Sequence, residues 1–211
     1  IAEAVADAVA DAVAEQADEG AARCVVDVGA GTGYYLARAL AHAGARAGVA
    51  IDLSKHAARL SARAHPRIAS VVADGWGRLP LRDGSAAAVL DVFAPRNPAE
   101  IARVLAPGGA LMVVTPTRKH LAELVDSLGL VTVDPDKDAR LDAQLEGLFE
   151  RRGSRVVERP LELPRAAAVP LVAMGPSARH LDAEEILRRI GALQEPIATT
   201  LSVTLRTYRK R

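Results

Sequence analysis

Aromatic residues are scarce in this sequence of 211 residues: one tryptophan, three tyrosines and two phenylalanines, so platforms for stacking nucleic-acid bases are few. Cysteine is scarcer still. The single Cys24 excludes an internal disulfide and a multi-cysteine zinc site, and its place at the start of an apolar run marks it as buried and inert, which suits the cytoplasm. No apolar run reaches the roughly 18 residues of a membrane span, and no basic-then-apolar signal opens the chain. The expectation is a soluble, cytoplasmic protein without a membrane partner. Basic residues are missing from the first 20 positions, which hold six acidic groups. The rest of the chain is therefore moderately basic under a net charge of only +1. Lysine is also rare: Lys55, Lys119, Lys137 and Lys210 are the only ones, and the other basic groups are arginines, whose planar fork suits phosphate. Codon bias in a GC-rich genome explains the same preference.

Half of the residues are hydrophobic, enough for a sizeable core in one domain over 1–211. Residues 2–16 read as a helix of Ala and Val with acids at every fourth position, a solvated stripe carrying no site. The buried run CVVDV then reads as a strand ending near Asp27, followed by the turn GAGTG and a helix from Tyr34 to a stop at Gly44. Further strands end at Asp52, at Asp74 and at Pro95. Ser54 caps a helix reaching Ala64. A helix over 98–105 leads through APGG into a strand over 110–116. Residues 134–155 are charge-rich and read as exposed. RVVERPLELP reads as an edge or irregular strand because of its prolines, a helix starts at Asp182, and TTLSVTLRTYRKR reads as the last strand. Strands alternating with helices predict an α/β fold, a mostly parallel seven-stranded sheet with helices on both faces.

The turn GAGTG lets backbone approach a ligand, and the following helix adds partial positive charge. A dinucleotide fingerprint requires glycine at position 34, where Tyr34 stands, so a pyrophosphate site is disfavoured. Asp52 and Asp74, read at strand ends where such sheets bind ligands, suit a ribose diol and an adenine amine.

Asp27, Gly29, Gly31 and Gly33, the acids at 52 and 74 and the run VLAPGG together resemble the class I S-adenosylmethionine (SAM) methyltransferases. The resemblance implies that the three glycines shape the methionine and ribose pocket beside Tyr34 and Tyr35. It also implies that Asp27 stands near the amino group, Asp52 takes the ribose, and Asp74 with Gly75 borders the adenine. Asp27 as a holder of turn amides, and Asp74 as a cap or turn residue, are the alternatives. Trp76 reads as a wall of the cofactor pocket. The stretches GTGYYLARAL, DLSKHAARLSAR, LPLRDGSAAAVLDVFAP, TPTRKHLAEL and VAMGPSARH are similar to the bacterial 23S rRNA guanine-N1 methyltransferases, in the Gram-positive branch linked to tylosin-type macrolide resistance. That family implies a 23S rRNA hairpin lining the peptide exit tunnel as partner and His120 as a contributor to the SAM site, with a surface histidine on the helix after Pro116 as the alternative. Its members open with a cysteine-rich zinc module. The present sequence opens on Ile1 with no such ligand set, so the expectation is a truncated core or a divergent member, with no metal of its own.

Methyl transfer is an in-line displacement in which the protein positions the nucleophile and excludes water. Guanine N1 carries a proton at neutral pH, so a proton acceptor is also required. The loop Ala94–Asn97, with Pro95, stands where many class I enzymes grip the target base. Asp91 can take the proton or cap backbone groups, and His180 is the second candidate. Arg96, Arg118, Lys119, Arg179 and the tail RTYRKR are candidate phosphate contacts, in keeping with twelve basic against six acidic groups over 151–211. MGPSARH reads as a loop that closes over a flipped base, or as an ordinary turn and helix start. DNA is not an expected partner, and the oligomeric state stays open. A small-molecule methyltransferase would share the SAM motifs but carry an apolar, aromatic lid; an RNA-binding protein holding SAM without transfer differs only in turnover.

Overall fold

The computed structural model describes residues 1–15, 23–42, 44, 46–130, 137–174 and 182–211. Helix α1 (Ala2–Ala14) packs along α2 (Tyr34–His42), burying Val5, Val9 and Ala12 and leaving its acids outward. The central strands are β1 (Cys24–Val28), β2 (Gly48–Asp52), β3 (Ile68–Val72), β4 (Ala86–Val92) and β5 (Leu105–Pro116). Between them run α3 (Lys55–Ala64) and α4 (Pro98–Val104). Then follow α5 (Ala122–Leu128), α6 (Lys137–Leu145), β6 (Phe149–Leu163), α7 (Arg165–Met174), α8 (Ala183–Gly191) and β7 (Ile197–Lys210).

The sheet order is β3-β2-β1-β4-β5-β7-β6, and β1 to β5 pair in parallel. From β1 the chain winds outward through β2 to β3, then returns to β4 beside β1 and winds the other way. With right-handed crossovers, that reversal puts α2 and α3 on one face and α4 on the other. It also makes the carboxyl ends of β1 and β4 the switch point, where open α/β sheets bind ligands. Every residue of β4 is buried, as a central parallel strand requires.

Two compact units divide the chain. The first holds 1–115, 138–155 and 204–211; the second holds 116–137 and 156–203. Val26, Val28, Ile51, Val89, Leu111 and Val113 centre the core of the first unit. Leu124, Leu128, Val172, Ile186, Ile190 and Ile197 form that of the second.

Several expectations are corrected. The third strand stops at Val72, and Asp74 lies in the following turn. The fourth stops at Val92, because Phe93 turns into the left-handed region with φ 56°. APGG lies inside β5 as a bulge: Ala86 pairs with Leu105 while Ala88 pairs with Ala110, and Gly108 supplies a φ of +66°. The charge-rich stretch is not uniformly exposed, since α6 and the start of β6 bury Leu141, Leu145 and Phe149. Ser54 caps α3 and Asp182 caps α8 as expected. β6 is the edge strand at the end of the order, where Pro160 is tolerated.

Candidate functional site

The turn after β1 is held open by its own chemistry. Gly29, Gly31 and Gly33 all have positive φ, and a Cβ on each would meet a different fate. On Gly29 it would lie 2.6 Å from Ala94 Cβ, so the loop after β4 abuts the turn. On Gly33 it would lie 2.8 Å from Ser61 Cβ, so this glycine lets the start of α2 sit against α3. On Gly31 it would meet nothing within 4 Å. Gly31 alone of the three therefore faces an open cradle, and Gly29 and Gly33 shape it indirectly by close packing.

Asp52 stands beside that cradle. Its Oδ2 accepts the Gly31 N–H at 2.8 Å and its Oδ1 accepts the Ser54 N–H at 2.8 Å. Two backbone donors thus fix the carboxylate at the end of β2. Asp27 differs sharply: it is 1% exposed, and its Oδ2 has no hydrogen-bond partner. Burial, with the nearby carboxylates of Asp91 and Asp52, pushes its carboxyl up to about 8. It is therefore a buried acid in need of a cation or donor. Tyr35 is raised by burial, then by Tyr34 and Asp27; the two tyrosine rings meet edge to face at 5.5 Å.

This donor set tests the cofactor. An anionic pyrophosphate at the start of α2 would meet Asp27 and Asp52, whereas a ligand with positive charge and a ribose diol is matched by both. The residues present fit SAM.

Beyond β4, Asp91 is fully buried and paired with Arg96 at two points: Nε to Oδ2 at 2.9 Å and Nη2 to Oδ1 at 3.3 Å. Arg96 was expected at a phosphate, but its guanidinium is mostly buried on Asp91, and phosphate contact would require breaking that pair. Asn97 caps α4 through Glu100 N–H and donates Nδ2 to the Trp76 carbonyl at 2.8 Å. Pro95 packs between Gly29 and Gly75, within 3.7 Å of where either Cβ would stand. Asp74 is exposed, and its Oδ1 accepts the Trp76 N–H at 2.9 Å, which is the turn role. The first unit thus brings together Asp27, Gly29, Gly31, Asp52, Gly75, Asp91, Pro95 and Arg96.

His120, Arg118 and Lys119 belong to the second unit. His120 lies in the turn before α5 and not on a helix, and its Nδ1 accepts the Ser202 N–H at 3.2 Å. Arg118 is exposed, and Lys119 pairs with Glu158 at 3.2 Å on the surface. Arg179 and His180 lie outside the described residues. The Arg96–Asp91 latch and the packing of Gly33 on Ser61 were not foreseen, since neither leaves a motif. The left-handed backbone of Phe93 at the end of β4 also leaves no local motif.

The sheet order, the glycine turn and the acid ending β2 are those of the class I SAM-dependent methyltransferase fold. Residues 25–109 match the methyltransferase domain family. The 23S rRNA (guanine(748)-N(1))-methyltransferase of Streptomyces fradiae is 53% identical over 186 residues, which is 88% of this chain and 66% of that protein. A relative from Micromonospora griseorubida is 51% identical over 185 residues, covering 88% of this chain and 63% of its own. Over 88% of its length the chain is therefore similar to curated 23S rRNA guanine-N1 methyltransferases. It spans just under two thirds of the length of these curated relatives. Among solved structures, a geranyl diphosphate methyltransferase in complex with SAM shares the fold, with TM-score 0.54, 16% identity and coverage of 98% of this chain and 85% of that one.

Proposed function

We propose that the protein methylates N1 of a guanine in a 23S rRNA hairpin of the peptide exit tunnel, using SAM, and that this confers tylosin-type macrolide resistance. The observation that carries the substrate is the 53% identity to the Streptomyces fradiae enzyme over 88% of the chain. The cytoplasm is the matching location; among the described residues no helix is long and apolar enough to cross a membrane.

SAM supplies a methyl group activated on a sulfonium. When SAM is bound, Gly31 would leave room for it, Asp52 would hold its ribose hydroxyls, and Asp27 would accept a hydrogen bond from its amino group. Asp74 with Gly75, Tyr34 and Tyr35 borders the same pocket. Ala94 and Pro95, braced on the glycine turn, orient the guanine through backbone carbonyls. Asp91, committed to Arg96, holds that loop in place and acts as a positioning residue. His180 is then the candidate acceptor of the N1 proton. Arg118, Lys119 and Arg179 supply phosphate contacts.

The test is primer extension on 23S rRNA from a drug-susceptible bacterium, treated with SAM and the gene's full product. A methyl on N1 blocks the Watson–Crick edge, so a SAM-dependent stop at one guanine is expected. No stop from a protein that binds SAM would overturn the assignment.

A further inference from the structure

Phe93 combines two properties that ordinary packing does not explain. Its φ of 56° is a left-handed conformation that bulky residues avoid, and its residue surface is 47% exposed. A strained backbone that presents an apolar ring to solvent gains nothing for the core; such strain collects at functional sites, held by its surroundings. A singly exposed ring is ordinary, but an exposed ring on a strained backbone is not.

The surroundings over-determine Phe93. Its N–H donates to the Val114 carbonyl at 3.2 Å, fixing the end of β4. Three and four residues on, Arg96 is latched to Asp91, and Asn97 to the Trp76 carbonyl. Ala94 and Pro95, immediately after it, abut Gly29 and Gly75. The ring is thus carried on a rigid segment at the switch point, as a binding platform requires.

Composition narrows the choice. Of six aromatic residues, Phe149 and Tyr208 are spent on the core. Tyr34 and Trp76 are also exposed, at 58% and 63%, but Tyr34 opens α2 at the glycine turn and Trp76 follows the Asp74–Gly75 turn. Both adjoin the cofactor residues. Tyr35 is half-buried in α2, and Phe93 is the aromatic that leads directly into the Ala94–Pro95 loop.

We propose that Phe93 is the stacking platform for the target purine, a substrate-positioning residue distinct from the groups that hold SAM. The proposal rests on the function argued above. A flat ring on a fixed backbone offers its face to a base withdrawn from its helix, while backbone carbonyls and amides read the edge.

The test compares wild type, F93N and F93W in the gene's full product, reading melting temperature, SAM affinity, and kcat and KM on 23S rRNA. Asn tolerates left-handed φ, so F93N keeps the loop and loses the ring. The expected result is unchanged melting and SAM affinity in F93N, with kcat/KM for RNA down by about 5- to 150-fold, the range of one base–aromatic stack. F93W retains most of the wild-type rate. Wild-type turnover by F93N overturns the proposal, as does an equal loss in both variants accompanied by lowered melting. A wild-type protein that leaves no mark on RNA overturns the parent function and this proposal with it, so the two failures are told apart by the wild-type reaction alone.

Discussion

Gly31 and Gly33 sit two residues apart in one turn, and alanine at each should fail for a different reason. At Gly33 the φ of +78° is left-handed and an added Cβ would lie 2.8 Å from Ser61 Cβ and 2.9 Å from Ser61 Cα. The conformational penalty is about 1–2 kcal/mol. Overpacking against a helix backbone that cannot simply swing away adds about 1–3 kcal/mol. Together they amount to about 2–5 kcal/mol, which lowers Tm by about 5–20 °C in a chain of this size. At Gly31 the φ is +54° but nothing lies within 4 Å of the added methyl. Only the conformational penalty applies there, about 2–8 °C in Tm. The methyl stands in the cradle beside Asp52, so SAM affinity should fall by at least about tenfold, the equivalent of roughly 1.4 kcal/mol. Differential scanning calorimetry and isothermal titration with SAM read both effects. G31A binding SAM as wild type does would refute the assignment of the cradle to Gly31, and G33A melting with wild type would refute the close packing of Gly33 on Ser61.

Asp27 gives a pH signature. Its folded carboxyl is held at about 8, above the ordinary 3.8, so the stability tied to its protonated form is complete below about 3.8 and is lost as pH rises through about 8. Asp27→Asn cannot ionise, so its Tm advantage over wild type should grow with pH by about 3–5 °C per unit in that window, from about 1.4 kcal/mol per unit. A gap constant from pH 5.5 to 7.5 would count against the buried, unpartnered acid. Removing Arg96 strands a buried carboxylate: Arg96→Met should cost about 3–5 kcal/mol, and adding Asp91→Asn should recover much of it. Urea unfolding of the two singles and the double measures this; additive losses would show that the pair is not the latch.

The parallel core was readable because β1, β2 and β4 are apolar runs separated by helical patterns, and burial on both faces writes itself into composition. The strand ends were not. A left-handed Phe93 ended β4 where Val-Phe-Ala-Pro reads as continuous strand, and the β5 bulge hid in Ala-Pro-Gly-Gly, which resembles a helix stop. Around the site, the position of Asp52 at the end of β2 was legible from the apolar run that precedes it. Arg96 was not, because an arginine near a site reads as a phosphate contact until its five-residue reach back to Asp91 is seen. Gly33 read as part of a ligand turn, whereas its missing Cβ answers to Ser61, a contact between elements that no local pattern encodes.

Guanine-N1 methylation is read most directly from the chemistry of the product. Unmodified 23S rRNA is incubated with the gene's full product and methyl-labelled SAM, digested to nucleosides and resolved by mass spectrometry against standards. Labelled 1-methylguanosine, dependent on SAM and on protein and reduced in the G31A variant at limiting SAM, is the predicted result. Label on another nucleoside or another guanine atom, or RNA left unlabelled by a protein that binds SAM, would contradict it.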